Sequence, residues 1–400
     1  MKVSPFVWLC GVGFLGRLSY EMIRTPIVSL FAVRLGAPTQ IIGLLVAAVT
    51  LTGIVVKYPS GALADIFGFR RIMSYGLIVK ATAPFLYMLV STWPQLLVLR
   101  LYHGLSTALY APVASAFVAK EYPEQRASRL GMYGAFENGG VVLGPVFGAY
   151  LLSVSSFTVA FLSSGIIGIM AFRGIFEIPR DARRTPEAAR LRPADIARQM
   201  LAGAKEIASD GAIRIVSFVE GTMYMGVGTL QAFLPLYALS VHISVAEVGV
   251  LFGIQGAASI IGRPLWGKAS DTTGRRPLVV AGIVLCAATL VTMPLTENFL
   301  MLCGLNLLFG LGTGMVTPST TALIGDLVKR NAFGAAMGVF GSLWDIGHAS
   351  GPIIAGFLIA WIGYRYAFSI IAVPMLLALV FFVSSNGVRR VADRLASKLP

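Results

Sequence analysis

The chain has 400 residues, of which 56% are apolar and only 12% are charged, and its formal net charge is +14 at pH 7. Because a soluble domain normally carries about 25% charged residues, this composition excludes an ordinary soluble globular protein. The mean hydropathy of +0.79 instead predicts an all-α membrane protein whose outer surface faces lipid.

Apolar stretches of about 20 residues, the length of a helix that crosses the hydrocarbon layer, recur along the whole chain. They predict two sets of six membrane-spanning helices. We expect a first bundle over 1–179, a cytoplasmic linker over 180–210, a second bundle over 211–388 and a cytoplasmic tail over 389–400. The predicted spans lie near 7–33, 40–63, 72–92, 94–118, 129–152, 155–176, 211–239, 245–266, 277–296, 299–325, 335–361 and 366–386.

The basic residues fall mainly on one side of this predicted arrangement. Most of the 32 Lys and Arg residues lie in the connections on the side of the N-terminus, whereas Arg34 and Arg365 lie in loops of the other side. Short cytoplasmic loops carry such an excess. We therefore predict an inner-membrane protein whose two termini are both cytoplasmic, and the positive net charge gives no reason to expect a nucleic-acid partner.

Charged residues enter the first predicted span, where Arg17, Glu21 and Arg24 share one face of the helix with Tyr20 beside them. At about 100° per residue, the three charges lie within an arc of about 60°. Two arginines that bracket one glutamate either neutralise the stripe or leave one net positive charge for an anionic substrate group. Both interpretations stay open.

The two halves repeat each other. An offset of 206 aligns residues 30–71 with residues 236–277 without a gap, and an offset of 207 aligns Gly144 and Pro145 with Gly351 and Pro352. At the first offset Asp65 meets Asp271, and several glycine and arginine positions coincide as well. Chance similarity between apolar helices would not repeat charged and glycine positions. The chain is therefore predicted to contain an internal duplication. Such duplications are common in transporters, where the substrate site lies at the interface between the repeats.

A loop rich in glycine and charge joins the second and third spans, and its second copy occupies the matching loop of the second half. Glycine permits a sharp turn, and aspartate can accept hydrogen bonds from exposed amides at a helix N-terminus. The two copies contain Gly61, Asp65, Gly68, Arg70 and Arg71, and Gly267, Asp271, Gly274, Arg275 and Arg276. The pattern resembles the loop motif of the major facilitator superfamily, which implies two pseudo-symmetric six-helix bundles and a gating role for both loops.

The resemblance also implies that Asp65 reaches the cytoplasmic start of the eleventh span and closes an inner gate. Ile66 and Phe69 stand where the family usually has basic residues. We therefore expect a thinner charge network around the first loop.

Arg100 lies within the fourth predicted span and is followed by His103 and Gly104. A charge near the middle of the membrane costs about 2.5–3.5 kcal/mol, so it needs a partner or a use. The segment resembles a second motif of the superfamily, in which the arginine is tied to proton coupling. His103 stands where glutamine is more usual, and a structural ion pair of Arg100 is the alternative interpretation.

A glycine–proline motif in the fifth span recurs in the eleventh. It resembles the motif of the superfamily's proton-coupled drug antiporters, and simple helix packing is the alternative, because small residues let two helices approach closely. The two copies contain Gly140, Gly144, Pro145 and Gly148, and Gly347, Gly351 and Pro352.

Further polar residues complete the list of candidates. The resemblance places the first span beside a central cavity, so Glu21 is a candidate proton carrier together with Arg100 and Asp345, the last pointing away from the glycine face. The candidates for lining the substrate cavity are Arg17, Tyr20, Arg24, His103, Glu137, Glu220, Tyr224, Gln231 and His348. The sequence offers no interpretation of Lys80 in the third span.

These features predict a secondary active transporter, and the glycine–proline motif favours proton-coupled efflux of a small organic solute. The alternatives are an uptake symporter or a uniporter and, from another class, a membrane sensor or scaffold that transports nothing. The expected partners are a small-molecule substrate, protons and membrane lipids, with no metal and no cofactor, in a monomer that is not an enzyme. Gly11, Gly13 and Gly16 match a dinucleotide fingerprint only on paper, because they lie inside an apolar helix.

Overall fold

The computed structural model describes residues 4–179, 210–328 and 333–385 of the chain. The predicted tail, and the predicted linker apart from Asp210, lie outside these ranges. Every regular element within the described ranges is a helix, which agrees with the all-α prediction.

The first half contains helices that follow the six predicted spans. Their bounds are α1 Pro5–Met22, α2 Val28–Arg34, α3 Thr39–Phe67, α4 Phe69–Tyr87, α5 Trp93–Glu121, α6 Arg126–Val154 and α7 Phe157–Gly174. Polar residues fix several helix starts: Ser4 and Ser156 accept amide hydrogen bonds in the first turns of α1 and α7, as is usual for N-cap residues.

The first predicted span is interrupted. A π-helical turn, Ile23–Ile27, joins α1 to α2, and the backbone of Thr25 inside it leaves the helical conformation. Pro26 has no backbone N–H to donate, which accounts for the break in the hydrogen-bond pattern at this point. Arg24 therefore lies in the turn rather than in a regular helix.

The second half continues the pattern with α8 Gly211–Ser240, α9 Val245–Thr273, α10 Arg275–Thr292, α11 Phe299–Leu327 and α12 Phe333–Ser384. The element α12 covers both the eleventh and the twelfth predicted spans. Gly363, with φ of +74°, separates the two parts, and glycine adopts this left-handed conformation without steric cost.

Eight helices among the described residues are long and apolar enough to cross a membrane. One of them, Ala336–Ser384, has 49 residues, and two spans of about 20 residues each fit into that length. Three further long helices, α4, α5 and α8, do not meet the same measure of length and hydropathy. The buried Lys80, Arg100 and Glu220 lie in these three helices.

The chain divides into two compact units that follow the two halves, except that Thr39–Gly43 groups with the second unit and Ser244–Gly249 with the first. Within the first unit, α1 packs along α6 and α7, and α4 packs against α5 and α7. Within the second unit, α8 packs along α12, and α10 packs against α11. The first and seventh predicted spans are therefore each packed against a helix that carries a glycine–proline motif.

Candidate functional site

The first candidate site lies on α1, where two arginines bracket Glu21. Oε1 of Glu21 is 2.8 Å from Nη2 of Arg17 and 3.3 Å from Nη1 of Arg24. Glu21 is buried, and each guanidinium group lies 5.7 Å from the centre of the Tyr20 ring. Oε1 of the carboxylate is thus contacted by two guanidinium groups, which can only donate hydrogen bonds.

Glycines of α6 allow that helix to pack directly against the part of α1 that contains Arg17 and Glu21. A Cβ atom at Gly140 would lie 2.9 Å from Cβ of Arg17, and one at Gly144 would lie 2.5 Å from Cβ of Glu21. A Cβ atom at Gly148 would overlap the carbonyl oxygen of Met22. Larger residues would push α6 away from α1, so in this unit the motif acts as close helix packing.

Arg100 is fully buried in α5 and is held by backbone carbonyl groups. Its Nε donates to the carbonyl oxygen of Leu45 at 2.9 Å, and its Nη2 donates to that of Val46 at 3.0 Å. Among the described residues, no carboxylate oxygen lies within 4.0 Å of its guanidinium group. This geometry does not support the interpretation of Arg100 as half of a structural ion pair.

His103, one turn further along α5 than Arg100, contacts Tyr20 on α1 and Tyr87 on α4. Its Nδ1 lies 3.1 Å from the hydroxyl oxygen of Tyr87. Its ring meets the Tyr20 ring edge-on, with 5.0 Å between the ring centres. Tyr20 therefore lies between the imidazole of His103 and the two arginines of α1.

The second candidate site lies on α8, where Glu220 is fully buried. Its two carboxylate oxygens accept hydrogen bonds from the hydroxyl groups of Thr317 at 2.9 Å and Thr320 at 2.7 Å. No Lys, Arg or His nitrogen of the described ranges lies within 4.0 Å of this carboxylate. Among the described residues, this carboxylate therefore accepts hydrogen bonds from neutral hydroxyl groups only.

Aromatic side chains lie one helical turn along α8 from this carboxylate. The ring centre of Tyr224 is 4.5 Å from that of Trp344 and 6.2 Å from that of His348. Nε2 of His348 lies 3.1 Å from Oε1 of Gln231. The half-buried Asp345 follows Trp344 on α12, so the second unit does bring the predicted residues of its two spans together.

Glycines again make this approach possible. A Cβ atom at Gly347 would overlap the carbonyl oxygen of Gly221, and one at Gly351 would overlap that of Met225. One at Gly228 of α8 would overlap the carbonyl oxygen of His348. The second copy of the motif therefore packs α12 onto α8 as the first copy packs α6 onto α1.

The second of the two predicted gating loops carries a charge network. Arg275 forms an ion pair with Asp271, and its Nε lies 3.4 Å from Oδ2 of Asp326. Gly274, with φ of +92°, separates α9 from α10, and a β-carbon would strain this conformation.

The first predicted gating loop lacks that network within the described residues. Phe69 stands at the position equivalent to Arg275 and is buried, and Nζ of Lys120 lies 4.8 Å from the centre of its ring. Asp65 is exposed and has no hydrogen bond or ion pair with any described residue. Its predicted contact with the start of the eleventh span stays a prediction, since residues 329–332 lie outside the described ranges.

Two of the remaining loop arginines bind the ends of other helices, and the third binds a residue of its own helix. Nη2 of Arg70 donates to the carbonyl oxygen of Phe176 at 3.2 Å, and Arg276 donates in the same way to that of Val383. Arg71 donates to the hydroxyl of Tyr75 at 3.1 Å. Each loop is thereby attached to the last helix of its own half.

Sequence reasoning missed several residues that complete these sites. Lys120 and Asp326 occupy equivalent positions of the repeat, so the offset that aligned the loops also contained this signal. Thr317, Thr320 and Trp344 gave no such signal, because hydroxyl and aromatic residues are common in apolar helices. Their roles depend on which helices pack together.

Comparisons with known proteins agree with this architecture. The family model described as Major Facilitator Superfamily matches residues 9–219 and 216–397. An uncharacterised MFS-type transporter of Methanocaldococcus jannaschii is 24% identical over 375 residues, which cover 92% of this chain and 93% of that protein. The quinolone resistance protein NorA of Staphylococcus aureus is 24% identical over 343 residues, which cover 83% of this chain and 84% of that protein.

A solved structure shows the same fold. It is that of a bacterial homologue of the human lysosomal transporter Spinster in an inward-facing and occupied conformation, with a TM-score of 0.79 at 15% sequence identity. The match covers 98% of this chain and 99% of that one. Together with the family model, it confirms the predicted fold of two six-helix halves.

Proposed function

Because the chain belongs to the major facilitator superfamily and is therefore a multi-pass membrane transporter rather than an enzyme, we propose that it exports a small organic solute in exchange for protons. In this proposal Glu220 is the residue that takes up and releases the proton. Export crosses the cytoplasmic membrane, with both termini in the cytoplasm, and one chain is the working unit.

The observation that carries this proposal is the set of donors around Glu220. A threonine hydroxyl can either donate or accept a hydrogen bond. Thr317 and Thr320 can therefore satisfy the carboxylate when it is charged and the carboxylic acid when it is neutral. Since no Lys, Arg or His nitrogen of the described ranges lies within 4.0 Å of this carboxylate, protonation also removes much of the energetic cost of a buried charge.

Glu21 lacks this property. Arg17 and Arg24 both contact Oε1 of Glu21 and can donate but not accept hydrogen bonds, so neither could accept a hydrogen bond from a protonated Glu21. Protonation would also leave two positive charges without their partner. We therefore assign Glu21 a structural role in the first unit and propose Glu220 as the proton carrier. The sequence analysis had named Glu220 only as a candidate for lining the substrate cavity.

Arg100 and Asp345 keep supporting roles. Arg100 holds a fixed positive charge inside the first unit, and its Nη1 has no hydrogen-bond partner among the described residues. Asp345 adds negative charge next to the aromatic residues Tyr224 and Trp344. An aromatic surface beside acidic groups suits an amphiphilic solute with a flat ring system, and NorA is described as a quinolone resistance protein.

Proteoliposomes with an imposed pH gradient test this proposal. A proton antiporter accumulates a labelled quinolone on the acidic side of the membrane, whichever way the protein is inserted. Accumulation in vesicles with an acidic interior, above that of protein-free vesicles, is the expected result. Accumulation in vesicles with an alkaline interior would show a symporter, and transport that ignores the gradient would show a uniporter.

A further inference from the structure

The two threonines that hold Glu220 have different surroundings. Each contacts a different oxygen of the carboxylate: Thr317 donates to Oε1 at 2.9 Å, and Thr320 donates to Oε2 at 2.7 Å. Thr320 is fully buried, whereas Thr317, about one turn earlier on α11, is half-buried. The two carboxylate oxygens are therefore not equivalent.

The hydroxyl group of Thr320 lies within hydrogen-bond distance of three acceptors. Besides Oε2 of Glu220, its Oγ1 lies 2.9 Å from the carbonyl oxygen of Val316 and 3.1 Å from that of Thr317. A threonine hydroxyl has a single hydrogen to donate and can also accept. Since hydrogen bonds to an ionised acceptor are roughly twice as strong as neutral ones, this hydrogen lies on Oε2 while Glu220 is charged.

Protonation of Glu220 on Oε2 would reverse this hydrogen bond. The new O–H group of the carboxylic acid donates to Oγ1 of Thr320, and the hydrogen of Thr320 turns to the carbonyl oxygen of Val316. That carbonyl oxygen has two lone pairs, so it can accept from the hydroxyl group as well as from the helix backbone. Only the hydroxyl hydrogen has to rotate, because both oxygen–oxygen distances already lie within hydrogen-bond range.

Thr317 differs from Thr320 in this respect. Among the described residues, no carbonyl oxygen accepts a hydrogen bond from its hydroxyl group, which donates to Oε1 of Glu220. The hydroxyl group of Tyr224 also interacts with that of Thr317. With Tyr224 as the donor to Thr317, the hydrogen of Thr317 stays on Oε1 in both protonation states of Glu220.

Other charged or titratable groups act on this carboxylate from a greater distance. They are Arg263 of α9, Cys286 of α10 and Tyr224 of α8, and Asp345 of α12 acts in turn on Tyr224. Within the described ranges, none of the first three forms a hydrogen bond or an ion pair with Glu220. The hydrogen bonds of the two threonines therefore distinguish one carboxylate oxygen from the other.

We propose that Thr320 is the positioning residue of the proton step. Glu220 binds its proton on Oε2, where Thr320 accepts it in a hydrogen bond, and Thr317 holds Oε1 as the carbonyl oxygen. The carboxylate gains one proton from the aqueous phase, and no other covalent bond forms or breaks. On release of the proton, the hydrogen of Thr320 returns from the carbonyl oxygen of Val316 to Oε2. This inference rests on the proposed role of Glu220 as the proton carrier.

Infrared difference spectroscopy tests which oxygen carries the proton. Purified protein in lipid vesicles is compared at acidic and alkaline pH, and the C=O stretching band of a protonated carboxyl group is assigned to Glu220 if Glu220→Gln removes it. A hydrogen bond to the carbonyl oxygen weakens the C=O bond and lowers the frequency of this band. The band therefore reports on the donor to the oxygen that carries no proton.

We expect Thr317→Val to raise the frequency of this band, because the carbonyl oxygen Oε1 loses its donor. Thr320→Val should shift the band much less, since Thr317 still donates to Oε1. Thr317→Ser keeps the hydroxyl group and should restore the band of the wild type. Thr321→Val is the matched control on the same helix, because Oγ1 of Thr321 donates to the carbonyl oxygen of Thr317 at 2.7 Å and not to Glu220. This control should leave the band unchanged.

A shift in Thr320→Val as large as that in Thr317→Val, or larger, would overturn the assignment of the proton to Oε2. Glu220 would remain the proton carrier in that case, because Glu220→Gln removes the band. If Glu220→Gln removed no carboxyl band, the proposed function would fail together with this inference. Thr317→Ala and Thr320→Ala remove the same hydroxyl groups and give the same comparison if a valine variant does not fold.

Discussion

Glu21 and Glu220 are buried acids in the two repeated halves, and they differ in what surrounds them. Each lies on a helix that packs closely against the glycine–proline motif of its own half. Glu21 is bracketed by two arginines, whereas Glu220 is held by two threonine hydroxyl groups. The duplication has kept the packing of the two halves while their buried chemistry has diverged.

The two predicted gating loops differ in a similar way. In the second half, Arg275 bridges Asp271 and Asp326. In the first half, the positions equivalent to Arg275 and Asp326 are Phe69 and Lys120, which form a cation–π contact. At equivalent positions of the repeat, the second half therefore has an ion-pair network and the first half has a cation–π contact. Asp271 pairs with Arg275 of its own loop, whereas Asp65 has no such ion pair with a described residue.

The largest effect is expected from Glu220→Gln. Accumulation driven by a pH gradient should fall roughly 10²-fold, because the amide cannot exchange a proton. Exchange of labelled for unlabelled quinolone at equal pH should continue, since glutamine still forms hydrogen bonds with Thr317 and Thr320. Glu297→Gln, at an exposed position of the same half, is the control. Normal accumulation in Glu220→Gln would show that the two acids do not differ in the proposed way.

Glu21→Gln tests the other side of the comparison. It leaves Arg17 and Arg24 without their carboxylate and should lower the free energy of unfolding by about 3 kcal/mol. Thermal unfolding of the purified protein measures this loss. Glu220→Gln should cost about 1 kcal/mol or less, because its neutral partners remain satisfied. A Glu21→Gln variant as stable as the wild type would contradict the assignment of Glu21 to the architecture.

The glycine motifs should behave alike in both halves. Gly148→Ala and Gly351→Ala each place a methyl group against a backbone carbonyl oxygen, which should reduce stability by about 2 kcal/mol. The controls lie on the same helices: added Cβ atoms at Gly134 and Gly341 would meet no atom within 4 Å. If the controls were as unstable as the other two variants, loss of glycine itself rather than close packing would be the cause.

The smallest effect concerns the loops. Arg275→Met should lower stability by about 0.5 kcal/mol at low ionic strength, and the difference should shrink in high salt. Lys120→Met removes a cation that lies over an aromatic ring, so its effect should depend less on salt. Thermal unfolding of both variants at two salt concentrations measures this. If the stabilities of the two variants depended equally on salt, the loops would not differ as an ion-pair network and a cation–π contact should.

The sequence predicted those features that repeat or follow a helical period. The charges of the α1 stripe share one helix face, and the shared offset aligned Asp65 with Asp271. The break at Gly363 falls between the two spans that hydropathy had separated. Such features depend on local spacing, which a single sequence contains.

The surroundings of each buried charge could not be read in this way. Glu220 accepts hydrogen bonds from hydroxyl groups of α11, and the ammonium group of Lys80 lies over the ring of Tyr110 from α5. Which side chains meet in the interior is decided by the packing of helices that are far apart in the chain. Charged residues within apolar spans can therefore be identified from the sequence, but their partners cannot. Glu21 and Glu220 differ in their partners.

Proton release on substrate binding tests the central claim most directly. Purified protein in weakly buffered solution is mixed with a quinolone, and a pH-indicator dye records the protons released per bound molecule. The wild type and Glu21→Gln are predicted to release protons, and Glu220→Gln is predicted to release none. Undiminished release from Glu220→Gln, with release abolished in Glu21→Gln, would contradict the account.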